Sequence, residues 1–212
     1  MGAVISLDER RAAKLARRSS VSDTAAVVLF FDLGDPFSYL AAERVERAFE
    51  AVTWTPATEA GLYRRSLLAD PVGLDAVRRR AEERAAELRM PLVWPEHFPT
   101  EVPRAMRVAA LAAERGRASA FVLAAGRLAY CGGYDLDDPE ILAEAAAAAD
   151  VGLDECLAAA GDSRRDAPMQ EAGRRLVASG AHRLPALQVG DVVFSGEERI
   201  PEALAAARYA AG

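Results

Sequence analysis

The chain has 212 residues, of which 51% are hydrophobic and 27% charged, and its formal net charge is −6. This composition fits one large globular domain, or a domain with a sizeable insertion, that buries about 70% of the surface exposed by its unfolded chain. An acidic chain whose basic segments carry no aromatic ladder is poorly matched to nucleic acid or to an anionic membrane, so we expect neither as a partner.

Residues 1–24 carry many charges and no apolar core segment. We interpret them as an N-terminal extension that is neither a secretory signal nor a membrane span, and we therefore expect a cytoplasmic protein.

The next segment joins an apolar strand to the start of a helix. Residues 26–31 have the pattern of a fully buried strand, and Asp35 followed by Pro36 is typical of a helix N-cap with proline in the first turn. The helix over 36–50 would direct free backbone N–H groups and the positive end of its dipole toward whatever lies above the sheet. Such a turn favours bound anions, thiolates included.

A second strand over 52–55 completes a β-α-β unit. The chain then becomes rich in Ala, Arg and Glu, and we predict helices near 71–89, 101–115, 117–130, 138–149, 153–160 and 163–180. Two short strands around Gly190-Asp191 predict a β-hairpin, and a closing helix follows from about Ile200. The pattern predicts an α/β fold in which a thioredoxin-like core, residues 25–69 and 181–212, is interrupted by an inserted α-helical domain over 70–180.

Several segments of this plan resemble one family. Residues 34–40 are similar to the S-P-Y-S-Y/W-L segment of 2-hydroxychromene-2-carboxylate isomerases and kappa-class glutathione transferases, which replaces the C-x-x-C of DsbA-like oxidoreductases. Residues 90–107 resemble the family's P-x-x-W-P-x-x-F-P-x-N-T-x-x-A-M-R run. Leu184-Pro185 resembles its V-P with a cis proline, and residues 194–199 resemble its F-W-G-x-D-R. These matches span almost the whole chain beyond residue 25.

The resemblance implies a homodimer that binds glutathione, or another low-molecular-weight thiol, between the thioredoxin-like core and the insertion. It implies that Leu184 and Pro185 pair with this extended peptide as with an added strand, and that Glu198 and Arg199 hold its glutamyl end. From the residues alone, Pro185 could also be trans and begin a strand. For Glu198, the dipole of the following helix is a sufficient alternative explanation.

The chain departs from the family where the chemistry lies. Asp35 occupies the position of the catalytic serine, whose hydroxyl donates to the glutathione thiolate a hydrogen bond of roughly 1.5–3 kcal/mol. An ionised Asp35 donates none, and it repels a thiolate about 4 Å away by roughly 4 kcal/mol at an effective dielectric of 20. Glu101 and Val102 stand where the family has Asn-Thr, so Glu101 is a candidate ligand contact, and Ser195 replaces a tryptophan. We expect poor thiolate activation.

Asp35 has other interpretations that need no thiol. As an N-cap before Pro36 it would stabilise the helix by about 1 kcal/mol whatever the function. As a carboxylate in a cleft it could act as a general base, or as a general acid if burial outweighs the dipole, with His182 of the facing loop as a partner. A histidine at such a position is more often a surface-loop residue, and His182 could be one. Tyr39 and Tyr63 could reach a ligand, although tyrosines at such positions more often pack.

Three functions are compatible with these residues. The first is a thiol-dependent isomerase or transferase for a small electrophilic substrate, aromatic ones included; the resemblance implies that a thiolate adds reversibly to a conjugated carbonyl so that a carbon–carbon bond can rotate. The second is a thiol-independent isomerase or lyase in which Asp35 transfers a proton. The third is a non-catalytic thioredoxin-fold protein that binds a small molecule or a protein.

The cysteines exclude a fourth function. Cys131 and Cys156 form no C-x-x-C pair and neither lies near the helix start, so the chain lacks the sulfur that disulfide exchange requires. Their alanine-rich surroundings predict buried small side chains and neither a metal site nor a disulfide.

Overall fold

A four-stranded sheet forms the centre of the computed structural model, which describes residues 26–58, 71–99 and 101–210. The strands are β1 (Val27–Phe31), β2 (Thr53–Pro56), β3 (Ala186–Val189) and β4 (Val192–Ser195), in the order β2-β1-β3-β4. β2 runs parallel to β1, whereas β3 is antiparallel to both β1 and β4. Strands from the two ends of the described chain therefore meet in one sheet.

Helices fill the chain between these strands and follow the last one. They are α1 (Pro36–Ala48), α2 (Pro71–Leu88), α3 (Pro103–Glu114), α4 (Ala118–Tyr130), α5 (Pro139–Ala148), α6 (Leu153–Gly161), α7 (Asp166–Ala178) and α8 (Ile200–Ala210). Short 3-10 turns, Ser163–Arg165 and Glu197–Arg199, precede α7 and α8. The α/β fold predicted from the sequence, a thioredoxin-like core with a helical insertion, is confirmed.

Some of the sequence predictions fall outside the described residues. They concern residues 1–24, Tyr63, and the domain boundaries placed between 24 and 25 and between 69 and 70. The exact division into domains therefore stays a prediction.

The first half of α1 forms the centre of the core. All residues from Pro36 to Glu43 are buried, because α1 packs against α4 and against the core that contains Leu29 and Phe31 of β1. A helix without a polar face in its first turns is typical of such a fully enclosed position. The buried carboxylate of Glu43 accepts hydrogen bonds from Arg127 of α4, at 2.6 Å from Nε and 3.0 Å from an Nη. The core and the insertion are thus joined by packing and by charge.

Small residues allow the inserted helices to approach one another closely. Buried alanines line the contacts between α3, α4, α5 and α6, among them Ala105, Ala109, Ala112, Ala125, Ala145 and Ala159. Gly173 of α7 lies against the chain after β2, where a Cβ at residue 173 would stand 2.5 Å from the Thr58 carbonyl oxygen. This backbone contact brings the end of the insertion back onto the core.

Candidate ligand-binding cavity between the core and the insertion

A cavity of about 280 Å³ separates the thioredoxin-like core from α2. Its volume is close to the lower end of the range for small-molecule sites, about 300–1,000 Å³. The core contributes one residue of α1 and two loop segments, and α2 contributes one helical face. The lining residues of the described chain are Phe37, Gly73, Ala76, Val77, Arg80, His182, Arg183, Leu184, Gly196, Glu197 and Glu198.

The wall opposite α2 is the loop that leads into β3, where the Leu184–Pro185 peptide bond is cis. Leu184 is fully buried, and neither its N–H nor its C=O forms a hydrogen bond with any residue that the structure describes. The Pro185 carbonyl, in contrast, accepts a hydrogen bond of 2.7 Å from the Gly196 N–H. Buried backbone groups are nearly always paired in native proteins, so the two unpaired groups of Leu184 make this loop a candidate binding site.

Ser195 fixes the conformation of this loop. Its hydroxyl oxygen accepts hydrogen bonds from the N–H groups of His182 and Arg183, both at 3.2 Å, and donates one of 2.9 Å to the Arg183 carbonyl. The small side chain at the position of the family's tryptophan therefore has a specific role in this chain: it holds the residues before Leu184 in place.

The mouth of the cavity is charged. The Glu198 carboxylate is bonded to the Arg183 guanidinium and lies 3.9 Å from an Arg80 nitrogen. The Arg80 guanidinium also lies 5.7 Å from the centre of the Phe37 ring, within the range of a cation–π contact. Arg80 thus spans from the apolar wall of the cavity to its acidic edge.

Glu197, next to Glu198, points the other way and is 2% exposed. Its carboxylate is bonded to Arg44 of α1 and accepts a hydrogen bond of 2.6 Å from Nε of Arg84 in α2. Burial lowers the pKa of Arg44, whereas the hydrogen bond to Glu197 raises the pKa of Arg84. Glu197 was not predicted as a site residue, because two adjacent glutamates give no indication of which one is buried.

Asp35 is the N-cap of α1 and does not line the cavity within the described residues. It is 5% exposed, and its carboxylate accepts hydrogen bonds from the Phe37 N–H at 3.3 Å and from the Ser38 N–H and hydroxyl at 2.9 and 3.0 Å. The Ser38 oxygen in turn accepts one of 3.2 Å from the Asp32 N–H. The side chain that α1 presents to the cavity is Phe37.

The remaining predicted site residues divide into two groups. His182 and Glu198 line the cavity together with Leu184, and Pro185 follows Leu184 in the same loop. Two others, Arg199 and Glu101, do not line it: Arg199 donates to Glu202 at 3.0 Å and lies over the Phe194 ring, and Glu101 is exposed.

The cysteines differ from each other in environment. Cys156 is buried as predicted, but Cys131 is exposed, so the prediction that both are buried was wrong for Cys131. It follows the last residue of α4, where the chain turns to the surface. The Tyr39 hydroxyl lies 3.2 Å from its sulfur and donates to the Pro91 carbonyl at 3.1 Å, and burial raises the pKa of Tyr39. Tyr39 is a packing residue, stacked on Tyr130.

The described ranges contain no cluster of His, Cys, Asp and Glu suited to a metal ion. None of the helices in these ranges has the length and apolar character needed to cross a membrane.

Residues 26–207 match the family model of the DSBA-like thioredoxin domain. Among solved structures, a 2-hydroxychromene-2-carboxylate isomerase is similar, with a TM-score of 0.72, 18% identity and coverage of 87% of this chain and 95% of the isomerase. A probable DsbA oxidoreductase from Streptomyces coelicolor is also similar, with a TM-score of 0.69, 19% identity and coverage of 88% and 89%. No curated protein matches the chain. Identities this low indicate a shared fold.

Proposed function

Because the chain belongs to the DSBA-like thioredoxin domain family, we propose that it is a thiol-dependent isomerase or transferase of the 2-hydroxychromene-2-carboxylate isomerase type. In this proposal it acts in the cytoplasm as a homodimer on a small electrophilic substrate, aromatic ones included. Glutathione or another low-molecular-weight thiol occupies the cavity beside Leu184.

The observation that carries the proposal is the backbone of Leu184. Leu184 lines the cavity and is buried, and its N–H and C=O find no partner among the described residues. An extended peptide can bond to both groups as an added strand, and glutathione is such a peptide. Phe37 and Val77, both nearly buried, supply an apolar wall for the electrophilic substrate.

Asp35 limits the chemistry. In the first turn of α1, the N–H groups of Phe37 and Ser38 already donate to the Asp35 carboxylate. A thiolate near this turn would compete with that carboxylate for the same donors and would be repelled by its charge. We therefore expect the wild-type protein to bind the thiol but to activate it weakly, and Asp35→Ser to activate it better.

The burial of Asp35 also favours a second candidate, a non-catalytic protein that binds a small molecule in the same cavity. Its carboxylate accepts hydrogen bonds from the Phe37 N–H and from the Ser38 N–H and hydroxyl, as expected of a helix N-cap. Proton transfer by Asp35 has less support, because a general base must lie within hydrogen-bond reach of the proton it removes, and the carboxylate does not line the cavity within the described residues.

Calorimetric titration with glutathione and with S-methylglutathione, on the wild type and on Asp35→Ser, separates these functions. The thiol-dependent enzyme predicts that both proteins bind both peptides, that thiolate absorbance rises on glutathione binding to Asp35→Ser, and that this variant isomerises 2-hydroxychromene-2-carboxylate faster. Binding without turnover in either protein would favour the non-catalytic candidate. Absence of binding in both would refute the thiol-dependent function.

A further inference from the structure

We propose that Arg183 and Arg80 form a carboxylate-selecting subsite at the mouth of the cavity, and that Glu198 is its built-in competitor, displaced when a ligand carboxylate binds. The inference rests on the proposed function only in placing its ligand in the same cavity, and it requires neither a thiol nor catalysis.

The position of Glu198 is the first step. Its carboxylate is bonded to Arg183 and lies 3.9 Å from an Arg80 nitrogen, so two guanidinium groups from different elements, the β3 loop and α2, converge on one anion. All three side chains line the cavity. A ligand carboxylate at this point would meet the two cations that Glu198 now meets, and guanidinium groups bind carboxylates with good geometric match.

Gly196 lies directly against this ion pair. A Cβ at residue 196 would lie 2.6 Å from two guanidinium nitrogens of Arg183 and 2.6 Å from a carboxylate oxygen of Glu198. The pair therefore packs directly on the glycine backbone, in a space that a side chain at residue 196 would occupy. Surface ion pairs without such a backing are common and carry little information.

The charges around the cavity identify Glu198 as the group that a ligand would replace. The lining residues of the described chain include two carboxylates, but that of Glu197 is buried between Arg44 and Arg84 and faces away from the mouth. Glu198 is 36% exposed, and Arg80 is 57% exposed. Partly exposed pairs contribute little to stability, so an incoming anion can exchange with Glu198 at small cost.

The chemistry of the walls defines the ligand class. Behind the charged mouth lie Phe37, Val77 and Leu184, each at most 8% exposed. A compact carboxylic acid with an apolar body would place its body against these side chains and its carboxylate between Arg183 and Arg80. The neutral amide of the same acid would keep the apolar contacts and lose the charged one, which makes it the matched probe.

The test is calorimetric titration with 3-phenylpropanoate and 3-phenylpropanamide. Glu198→Gln removes the competitor, so the carboxylate should bind about five- to tenfold more tightly than to the wild type, by analogy with hydrogen bonds to charged groups. The amide should be unaffected. Glu202→Gln is the matched control, because Glu202 loses the same charge from α8 and does not line the cavity within the described residues.

The arginines should give the opposite result. Arg183→Gln should weaken carboxylate binding about tenfold, and Arg80→Gln less, because Arg80 is more distant and more exposed. Amide affinity should not change in either variant. Arg79→Gln removes the same charge from the neighbouring exposed position of α2 and should leave both affinities as in the wild type. These variants keep the test valid if Glu198→Gln folds poorly.

Three results would overturn the inference. The variants could change the affinities for carboxylate and amide equally, Glu198→Gln could leave the carboxylate affinity unchanged, or the wild type could bind neither probe. A glutathione titration in the same buffer separates this failure from failure of the proposed function. Carboxylate selection without glutathione binding supports the subsite alone. Glutathione binding with unchanged carboxylate affinity in Glu198→Gln refutes the subsite and leaves the proposed function standing.

Discussion

Gly196 occupies a backbone conformation, φ 104° and ψ 147°, that is nearly restricted to glycine. We expect Gly196→Ala to lower the free energy of unfolding by about 1–3 kcal/mol, because alanine is strained in this conformation whereas the nearby ends of the Arg183 and Glu198 side chains can move aside. Urea unfolding measures the loss. Gly161→Ala is the control, since no atom lies within 4 Å of the added Cβ and the residue ends α6, and it should not destabilise the fold. If both substitutions change the free energy of unfolding equally, alanine is not strained at residue 196.

Asp35 contributes to stability independently of any ligand. Asp35→Ala should lower the free energy of unfolding by about 1–2 kcal/mol, because three donors lose their acceptor in a buried turn, whereas Asp35→Ser should retain most of the cap. Asp138→Ala offers a matched comparison at the N-cap of α5. Asp138 also precedes a proline, but it is exposed and accepts from one N–H. If the two alanine variants lose the same free energy of unfolding, the burial of Asp35 does not make its cap more stabilising than that of Asp138.

Individual residues also show what the sequence could not determine. The preference of Asp for an N-cap before proline predicted the role of Asp35 in the helix, but it could not show whether the carboxylate also faces a ligand. That depends on the direction in which the turn packs, and Phe37 lines the cavity instead. Glu197 and Glu198 are adjacent, but their side chains point in different directions, so Glu197 is buried and Glu198 is partly exposed.

At the level of elements, α3 and α7 are joined by an ion pair that should give a pH-dependent stability. Arg107 donates to both oxygens of Asp166, each at 2.7 Å, and this bonding lowers the pKa of Asp166. A carboxyl group with a lowered folded-state pKa stabilises the fold above its unfolded pKa, about 3.9, and loses that contribution as the pH falls through the folded value.

Asp166→Asn should therefore destabilise the protein by about 1 kcal/mol at neutral pH, and the difference from the wild type should decrease below about pH 4. Urea unfolding across this range measures it. Asp150→Asn removes a carboxylate that is 82% exposed and paired with Arg117, and it should show almost no effect. If Asp166→Asn lowers the free energy of unfolding by the same amount at every pH, the loss comes from packing and not from the charge of Asp166.

Most helices began close to where the sequence predicted, because strong local signals mark their first turns. Prolines open α1, α2, α3 and α5 at Pro36, Pro71, Pro103 and Pro139. The helix predicted over 163–180 was less accurate. Its first turn is a 3-10 turn in which the Asp162 side chain accepts from the Arg164 N–H, and α7 begins only at Asp166. Such a local hydrogen bond competes with the α-helix, but it does not alter the spacing of hydrophobic residues from which the helix was predicted.

For the whole molecule, the fold predicts that two cysteines would restore the chemistry that this chain lacks. Asp35 and Ser38 are spaced as in a C-x-x-C motif, and their side chains meet at 3.0 Å. Asp35→Cys with Ser38→Cys, in a Cys131→Ser background, should form a disulfide when oxidised and, once added dithiothreitol has reduced it, should reduce insulin disulfides, because the helix N-terminus lowers the pKa of the first introduced thiol below about 8.5. The wild type should be inactive in the same assay. An inert double variant would show that this turn cannot reach a partner disulfide.

The full set of residues that line the cavity could not be predicted, because its walls come from segments far apart in the chain. The resemblance indicated Leu184 and Glu198, which do line it. Arg80 and Val77 lie in α2, and their spacing in the sequence gives no sign that one face of this helix meets the β3 loop. That contact depends on how the insertion docks on the sheet, which is a property of tertiary packing.

The order of the strands also has a consequence for biosynthesis. β1 pairs on one edge with β2, which is close in sequence, and on the other with β3, which lies near the end of the described chain. During synthesis, the insertion can form its local helical contacts while one edge of β1 still lacks its partner. The sheet is completed only after the β3 segment leaves the ribosome, and Leu184 and Gly196 emerge with it. The nascent protein therefore cannot form its cavity before this segment is available.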